Sequence, residues 1–241
     1  MKKILVLTLI SCFSFFSCDT AKQILDTYGT SLPGSELSNA EIVSGLRDAL
    51  TVGTGRTTSQ LSSADGFFKD AVIKILMPEE AKNVESKLRS VGLGNVVDKA
   101  ILAMNRAAED AAKGAETIFI NAAKQMTITD ALNILRGGDF AATNYFKSKT
   151  TAALTDAFRP VIQNSLKNVN ATKYWNDVFS VYNTFSTTKI DTDLTAYVTA
   201  RAMDGIFYQL GLEEQKIRKD PIARTTDILK KVFGSKLAQR A

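Results

Sequence analysis

A helical period runs from Asn95 to Gln125, and it constrains the fold of this chain more than any other feature. Val97, Ile101, Met104, Ala108, Ala111, Ala115, Ile118 and Ala122 recur at spacings of three and four, which places them on one helix face. The middle of the run is rich in alanine, so a neighbouring helix can approach closely. Such a face must be covered by other helices. The one strand-like run, Val72 to Leu76, has no obvious partner and reads as an extended segment pinned to a core. The expected class is therefore all-α: a single multi-helix bundle around a long, Ala-rich central helix.

The flanking segments agree. Ser38 and Glu41 form a capping box, and Ile42, Val43, Leu46, Ala49 and Leu50 share the face behind it. The pattern then loosens through Gly53, Gly55 and a Thr/Ser-rich stretch to Gly66. Pro78-Glu79-Glu80 opens a helix that stops at Gly92, with its acids at the positive dipole end. Further helices are expected at Thr129–Arg136, at Asp139–Lys149 with Asp139 as cap, and at Thr150–Val169, kinked or split by Pro160. Thr172–Phe185 carries Tyr174, Trp175, Phe179, Tyr182 and Phe185, the densest aromatic cluster and an expected part of the core. Asp193–Leu210, Glu213–Lys219 and Pro221–Phe233, the last capped by Asp220, bring the expectation to about nine helical segments. Short connections argue for one domain, residues 38–234, followed by a tail at 235–241.

The amino terminus reads differently. Met1-Lys2-Lys3 precedes an uncharged, mostly apolar run from Ile4 to Ser17. That run is too short for the roughly 20 residues a membrane-spanning helix needs, and it suits a signal peptide over residues 1–17. Ser17-Cys18 before the polar Asp19-Thr20 has the form of a lipoprotein processing site. Cys18 is preferred as the lipid attachment point. The alternative, Cys12, leaves a short apolar region and strands Phe13, Phe15 and Phe16 behind it. Residues 18–37 then form a lipidated tether reaching about 25 Å, in which a short helix over 21–28 would align Ile24, Leu25 and Tyr28. The expected location is outside the cytoplasm: lipid-anchored to a bacterial membrane and facing the periplasm or the cell exterior. The membrane is the expected partner through that anchor.

Composition narrows the chemistry. Histidine is absent and both cysteines precede residue 19, which removes Ser-His-Asp and Cys-His designs and histidine metal sites from the mature domain. No catalytic residue, metal or cofactor is expected. Asp191-Thr192-Asp193 offers too few oxygens for a calcium loop, and Gly137-Gly138-Asp139 lacks the pattern of a phosphate loop. Arg106, Glu109, Asp110 and Lys113 stand three and four apart on the expected central helix, an ordinary surface ion ladder. The sharper alternative is a polar cluster set into the bundle, built from Asn105, Arg106 and Glu109 with Asp130, Asp204 or Arg218 reaching in from other helices.

Charge is unevenly spread. From Lys216 onward the chain has Lys216, Arg218, Lys219, Arg224, Lys230, Lys231, Lys236 and Arg240 against Asp220 and Asp227. This basic end fits an anionic surface or an acidic envelope protein, or an ordinary solvated face; nucleic acid is not an expected partner of an exported protein. The leading functional expectation is a non-enzymatic binding or interaction module of the envelope. The alternatives are a wall-glycan hydrolase using Glu109 or Glu116 as acid, and a carrier holding an apolar ligand in a cavity of about 300 Å³ or more.

Several blocks resemble one family in order: Asn105-Arg106-Ala107-Ala108-Glu109, Met126-Thr127-Ile128-Thr129-Asp130-Ala131, Ala142-Thr143-Asn144-Tyr145-Phe146, Glu213 to Pro221, and Thr225 to Phe233. Together they resemble the bacterial domain of unknown function 4197, over about Ser38 to Gly234. The resemblance implies an exported, mostly helical protein and brings no activity, substrate or site residue.

Overall fold

The computed structural model describes residues 37–187, 189–235 and 238. In chain order the helices are α1 (Asn39–Leu61), α2 (Lys82–Ser90), α3 (Gly94–Ala112), α4 (Ala115–Lys124), α5 (Ile128–Arg136), α6 (Ala141–Asn168), α7 (Ala171–Phe185), α8 (Leu194–Lys219) and α9 (Asp227–Phe233). Among the described residues there is no strand, so the protein is all-α. Single 3₁₀ turns at Glu79–Ala81 and Pro221–Ala223 precede α2 and follow α8. The signal peptide, the tether and its short helix, Cys12, Cys18, Lys236 and Arg240 lie outside the described residues. No helix among the described residues is long and apolar enough to cross a membrane.

The two longest helices, α6 and α8, pack along each other through the middle. α3 lies on both, α1 covers them from the other side with α4, α5 and α9, and α7 folds back beside the end of α6. Phe119 of α4 stands edge-on to Phe146 of α6 at 5.2 Å and to Phe207 of α8 at 6.1 Å, a geometry that adds specificity to apolar burial. Phe67, Phe158, Leu46 and Leu154 are fully buried around them.

Five expected elements change. The expected Pro221–Phe233 helix is a 3₁₀ turn capped by Asp220 and a separate α9 capped by Thr226, and the other four shift for local reasons. α1 does not loosen at Gly53 but continues to Leu61. Thr54 donates its hydroxyl to the Leu50 carbonyl (2.7 Å) and Thr58 to the Thr54 carbonyl (2.9 Å), so groups that could compete with the helix bond inside it. The expected central helix divides at Lys113-Gly114 into α3 and α4. Glycine costs about 1 kcal/mol against alanine in a helix interior, and the Gly114 amide reaches back only three residues, to Ala111. α6 is continuous where two helices were expected, with Pro160 inside it on an exposed face. Water there can satisfy the carbonyl that proline leaves unbonded. Likewise α8 runs unbroken through Gly211. A Cβ there would stand 3.1 Å from the Phe140 ring, so this glycine serves close packing rather than termination.

Candidate functional site

Three of the six polar residues singled out from the sequence act together. Asn105 is buried on α3, and its amide exchanges two hydrogen bonds with one backbone residue: Nδ2 donates to the Ile75 carbonyl (2.8 Å) and Oδ1 accepts from the Ile75 N–H (2.9 Å). A neighbouring strand would supply the same pair. The strand-like segment thus finds its partner in a side chain: Ile73, Ile75 and Met77 are buried, while Val72 and Leu76 face water. One turn on, Glu109 Oε1 accepts from the Phe67 and Phe68 amides (3.1 and 3.2 Å). Its Oε2 accepts from Arg106 Nη1 (2.6 Å), and Arg106 Nη2 reaches Asp65 Oδ1 (2.7 Å). Hydrogen bonds from Lys69 and then Arg106 hold the Asp65 carboxyl below its usual range, and Glu109 and Asp65 in turn raise the Arg106 guanidinium. Together these groups fasten residues 65–77 to α3.

The other three sit elsewhere, so the polar cluster weighed as the sharper alternative does not converge. Asp130 closes a capping box with Thr127 at the start of α5, and the Thr127 hydroxyl and amide lower its carboxyl. Asp204 is exposed and pairs with Arg201 on its own helix (2.9 Å). Arg218 is buried against Glu214. The physical reason is the same for each: a partner three or four residues away is nearer than the cluster. The Arg106–Glu109 and Asp110–Lys113 pairs are two separate i,i+3 contacts. Glu109 has both oxygens engaged, Glu116 is exposed on α4, and neither acid lines a cavity described below.

Glu214 and Arg218 form a second buried device that sequence reasoning missed. Glu214 accepts from the Ala142 and Thr143 amides (2.9 and 2.8 Å) and from the Thr143 hydroxyl (2.8 Å). Arg218 Nε donates to Glu214 (2.9 Å) and Nη2 to the Ile134 carbonyl (2.7 Å). One ion pair on α8 therefore caps the carboxy end of α5 and the amino end of α6, with each charge matched to the helix dipole it meets. Asp139, the expected cap of α6, instead accepts from Lys219 and Gln215. The rest of the described basic end is similarly engaged. Lys216 pairs with Glu213, Lys230 with Asp227 and Lys231 with Glu41, while Arg224 donates to the carbonyls of Ile217 and Arg218.

The larger of the two described cavities lies between α3 and α7. It is an apolar groove of about 880 Å³, within the size range of small-molecule sites. Val96, Ala100, Ala103 and Ala107 form one wall, and Tyr174, Trp175, Val178 and Phe179 the other. Its origin is a mismatch of faces. Val97, Ile101, Met104 and Ala108 turn one side of α3 into the core. Val96, Ala100, Ala103 and Ala107, spaced four, three and four, make a second apolar stripe beside it. Helix α7 is anchored to α6 and α8 rather than to α3. It leaves α6 through Asn170, which takes the left-handed conformation (φ 57°), and Trp175 Nε1 donates to the Asp191 carbonyl (3.1 Å). The aromatic cluster, expected chiefly in the core with room for an exposed contact patch, is divided: Trp175 and Phe179 are buried, whereas Tyr174 and Phe185 are 60% and 86% exposed. The second stripe on α3 was the sequence signal for the groove.

The fold and this site define a class: an all-α domain in which ion pairs on buried glutamates clamp helix ends and a loop, and whose one large cavity among those described is apolar and open at its edge. More particularly, the chain belongs to the family described as "Protein of unknown function (DUF4197)", whose model matches residues 36–234. No curated protein and no solved structure matches the chain.

Proposed function

We propose that this protein is a binding module of the bacterial envelope, held to a membrane by a lipid on Cys18, and that its ligand site is the groove between α3 and α7. The observation that carries the site is the groove itself: about 880 Å³ lined chiefly by Ala, Val, Leu, Met and aromatic side chains, with a few polar groups around it. Sites for small apolar ligands have this form. The carrier of an apolar ligand, an alternative in the sequence reading, is thereby favoured over contact through the basic end, whose described cations are already engaged. The wall-glycan hydrolase has no comparable support, because Glu109 is committed to Arg106 and two backbone amides. The anchor rests on the basic start, the apolar run and Ser17-Cys18. One acyl chain binds marginally, and two or more hold firmly.

The site is tested with 1-N-phenylnaphthylamine, an apolar dye whose emission rises on leaving water. The protein should bind it saturably, and Ala103→Phe, which fills the groove, should abolish the signal while helix content by circular dichroism is unchanged. Equal dye binding by that variant overturns the assignment. The anchor is tested by mass spectrometry of protein extracted from membranes: an acylated Cys18 is expected, and an unmodified amino terminus in the soluble fraction overturns it.

A further inference from the structure

We infer that the groove takes a long-chain fatty acid, with its acyl chain along α3 and its carboxylate at Lys99. This rests on the groove being the ligand site and adds the class of ligand. Two observations carry it, one of shape and one of charge.

The lining follows α3 from Val96 to Asp110. At 1.5 Å per residue that is about 21 Å, and the acyl chains of one leaflet fill about 15 Å of a 30 Å bilayer core. The groove is therefore long enough for one extended chain. The small side chains of Ala100, Ala103 and Ala107 leave a smooth channel on the α3 side. A flexible alkyl chain fills such a channel without asking for hydrogen bonds, and none is offered along the alanine stripe.

The charged groups that line the groove differ in their commitments. Arg106 is engaged by Glu109 and Asp65, and Asp110 by Lys113 and Ser165. Lys99 makes no ion pair or hydrogen bond among the described residues, and its helix neighbours three and four away are Asn95, Val96, Leu102 and Ala103, none of them acidic. It is exposed at the mouth, where its alkyl stem can lie along the apolar wall and its ammonium remain in water. One unpaired cation beside an apolar channel complements a ligand with one negative charge and one tail.

The chain carries a single tryptophan, and Trp175 lines the groove, so its emission reports occupancy directly. Full-length protein is titrated with hexadecanoic acid, hexadecanol and butanoic acid. Hexadecanoic acid should shift the emission saturably and bind more tightly than hexadecanol, and butanoic acid should do nothing. Lys99→Gln should weaken hexadecanoic acid about fivefold, the upper end for a solvent-exposed charge contact, and leave hexadecanol unchanged. Ala103→Phe should abolish both responses. Equal affinity for acid and alcohol, or an unchanged acid affinity in Lys99→Gln, overturns the fatty-acid assignment and leaves the groove as an apolar site. Failure of both long-chain compounds to bind a helical protein overturns the groove as a ligand site and this inference with it.

Discussion

The side of the bundle where α1, α6, α8 and α9 meet and the edge where α3 faces α7 use the same kinds of residue and finish with different interiors. On the first side the described cavity, among Leu46, Gly53, Phe146, Leu210, Ile217 and Phe233, is about 20 Å³. On the second the cavity is about 880 Å³. Small residues occur in both places. At Gly53 and Gly45 they meet a partner: a Cβ on Gly53 would lie 3.8 Å from Ile217, and one on Gly45 2.5 Å from Val232. At Ala100 and Ala103 no helix comes down to meet them. Apolar small residues thus close a core or open a site according to whether the facing helix is anchored to them or to something else.

If that contrast is right, substitutions should cost most where the ends of helices are clamped and least along the groove. Glu214→Ala should cost about 3–5 kcal/mol, because it strands the buried Arg218 and two amides of α6; urea denaturation would show it, and a loss below about 1 kcal/mol would mean the clamp matters little. Asn105→Leu comes next, at about 2–3 kcal/mol for the orphaned Ile75 amide and carbonyl. Because Met77 lines the groove, this variant should also alter dye binding, which Glu214→Ala should not do in the folded protein. Gly205→Ala should cost about 1–3 kcal/mol from overpacking against Phe67, even though alanine is the better helix former. Gain of stability there would show that the packing of Phe67 on α8 can still relax.

The next effect depends on pH. Hydrogen bonds from Lys231 and then from Ser38 draw the Glu41 carboxyl down from 4.5 to about 2. A carboxyl whose folded pKa is depressed contributes stability above its unfolded pKa and loses it as the pH falls through the folded one. The stability gap between the wild type and Glu41→Gln should therefore be full at neutral pH, narrow below about pH 4.5 and be exhausted only below about pH 2. Denaturation curves across that window would reveal a gap that did not narrow. Smallest of all, Val178→Ser on the exposed groove wall should change stability by no more than about 0.5 kcal/mol while weakening dye binding.

Periodicity carried the class and most helix locations, because apolar positions three and four apart mean the same thing in any helical bundle. The capping box at Ser38 was legible too, and the expected extended segment holds from Lys74 onward, residues 71–73 forming a turn closed on Asp70. Periodicity misplaced boundaries where threonine and glycine look like breakers in isolation: Thr54, Thr58 and Thr150 each bond back to a carbonyl four residues earlier. The Glu214 cap was out of reach for another reason. The Ser38 cap is paired within three residues, whereas Glu214 reaches Ala142 across 72, and no local pattern marks a bond of that span. The polar cluster, the alternative to a surface ladder, was half legible. Asn105, Arg106 and Glu109 do act together, but on the backbone of residues 65–77 rather than on Asp130, Asp204 or Arg218. The groove was written into α3 as a second apolar stripe; what the sequence did not show is that α7 would stand away from it.

The distant cap also orders events during folding. The Ala142 amide and the Glu214 carboxylate stand 72 residues apart in the chain, and closing a loop of that length costs entropy before any contact repays it. Until α8 docks, the amides at the start of the longest helix have water alone, and its first turn is left to fray. Completion of the clamp therefore comes late and joins three helices in a single step.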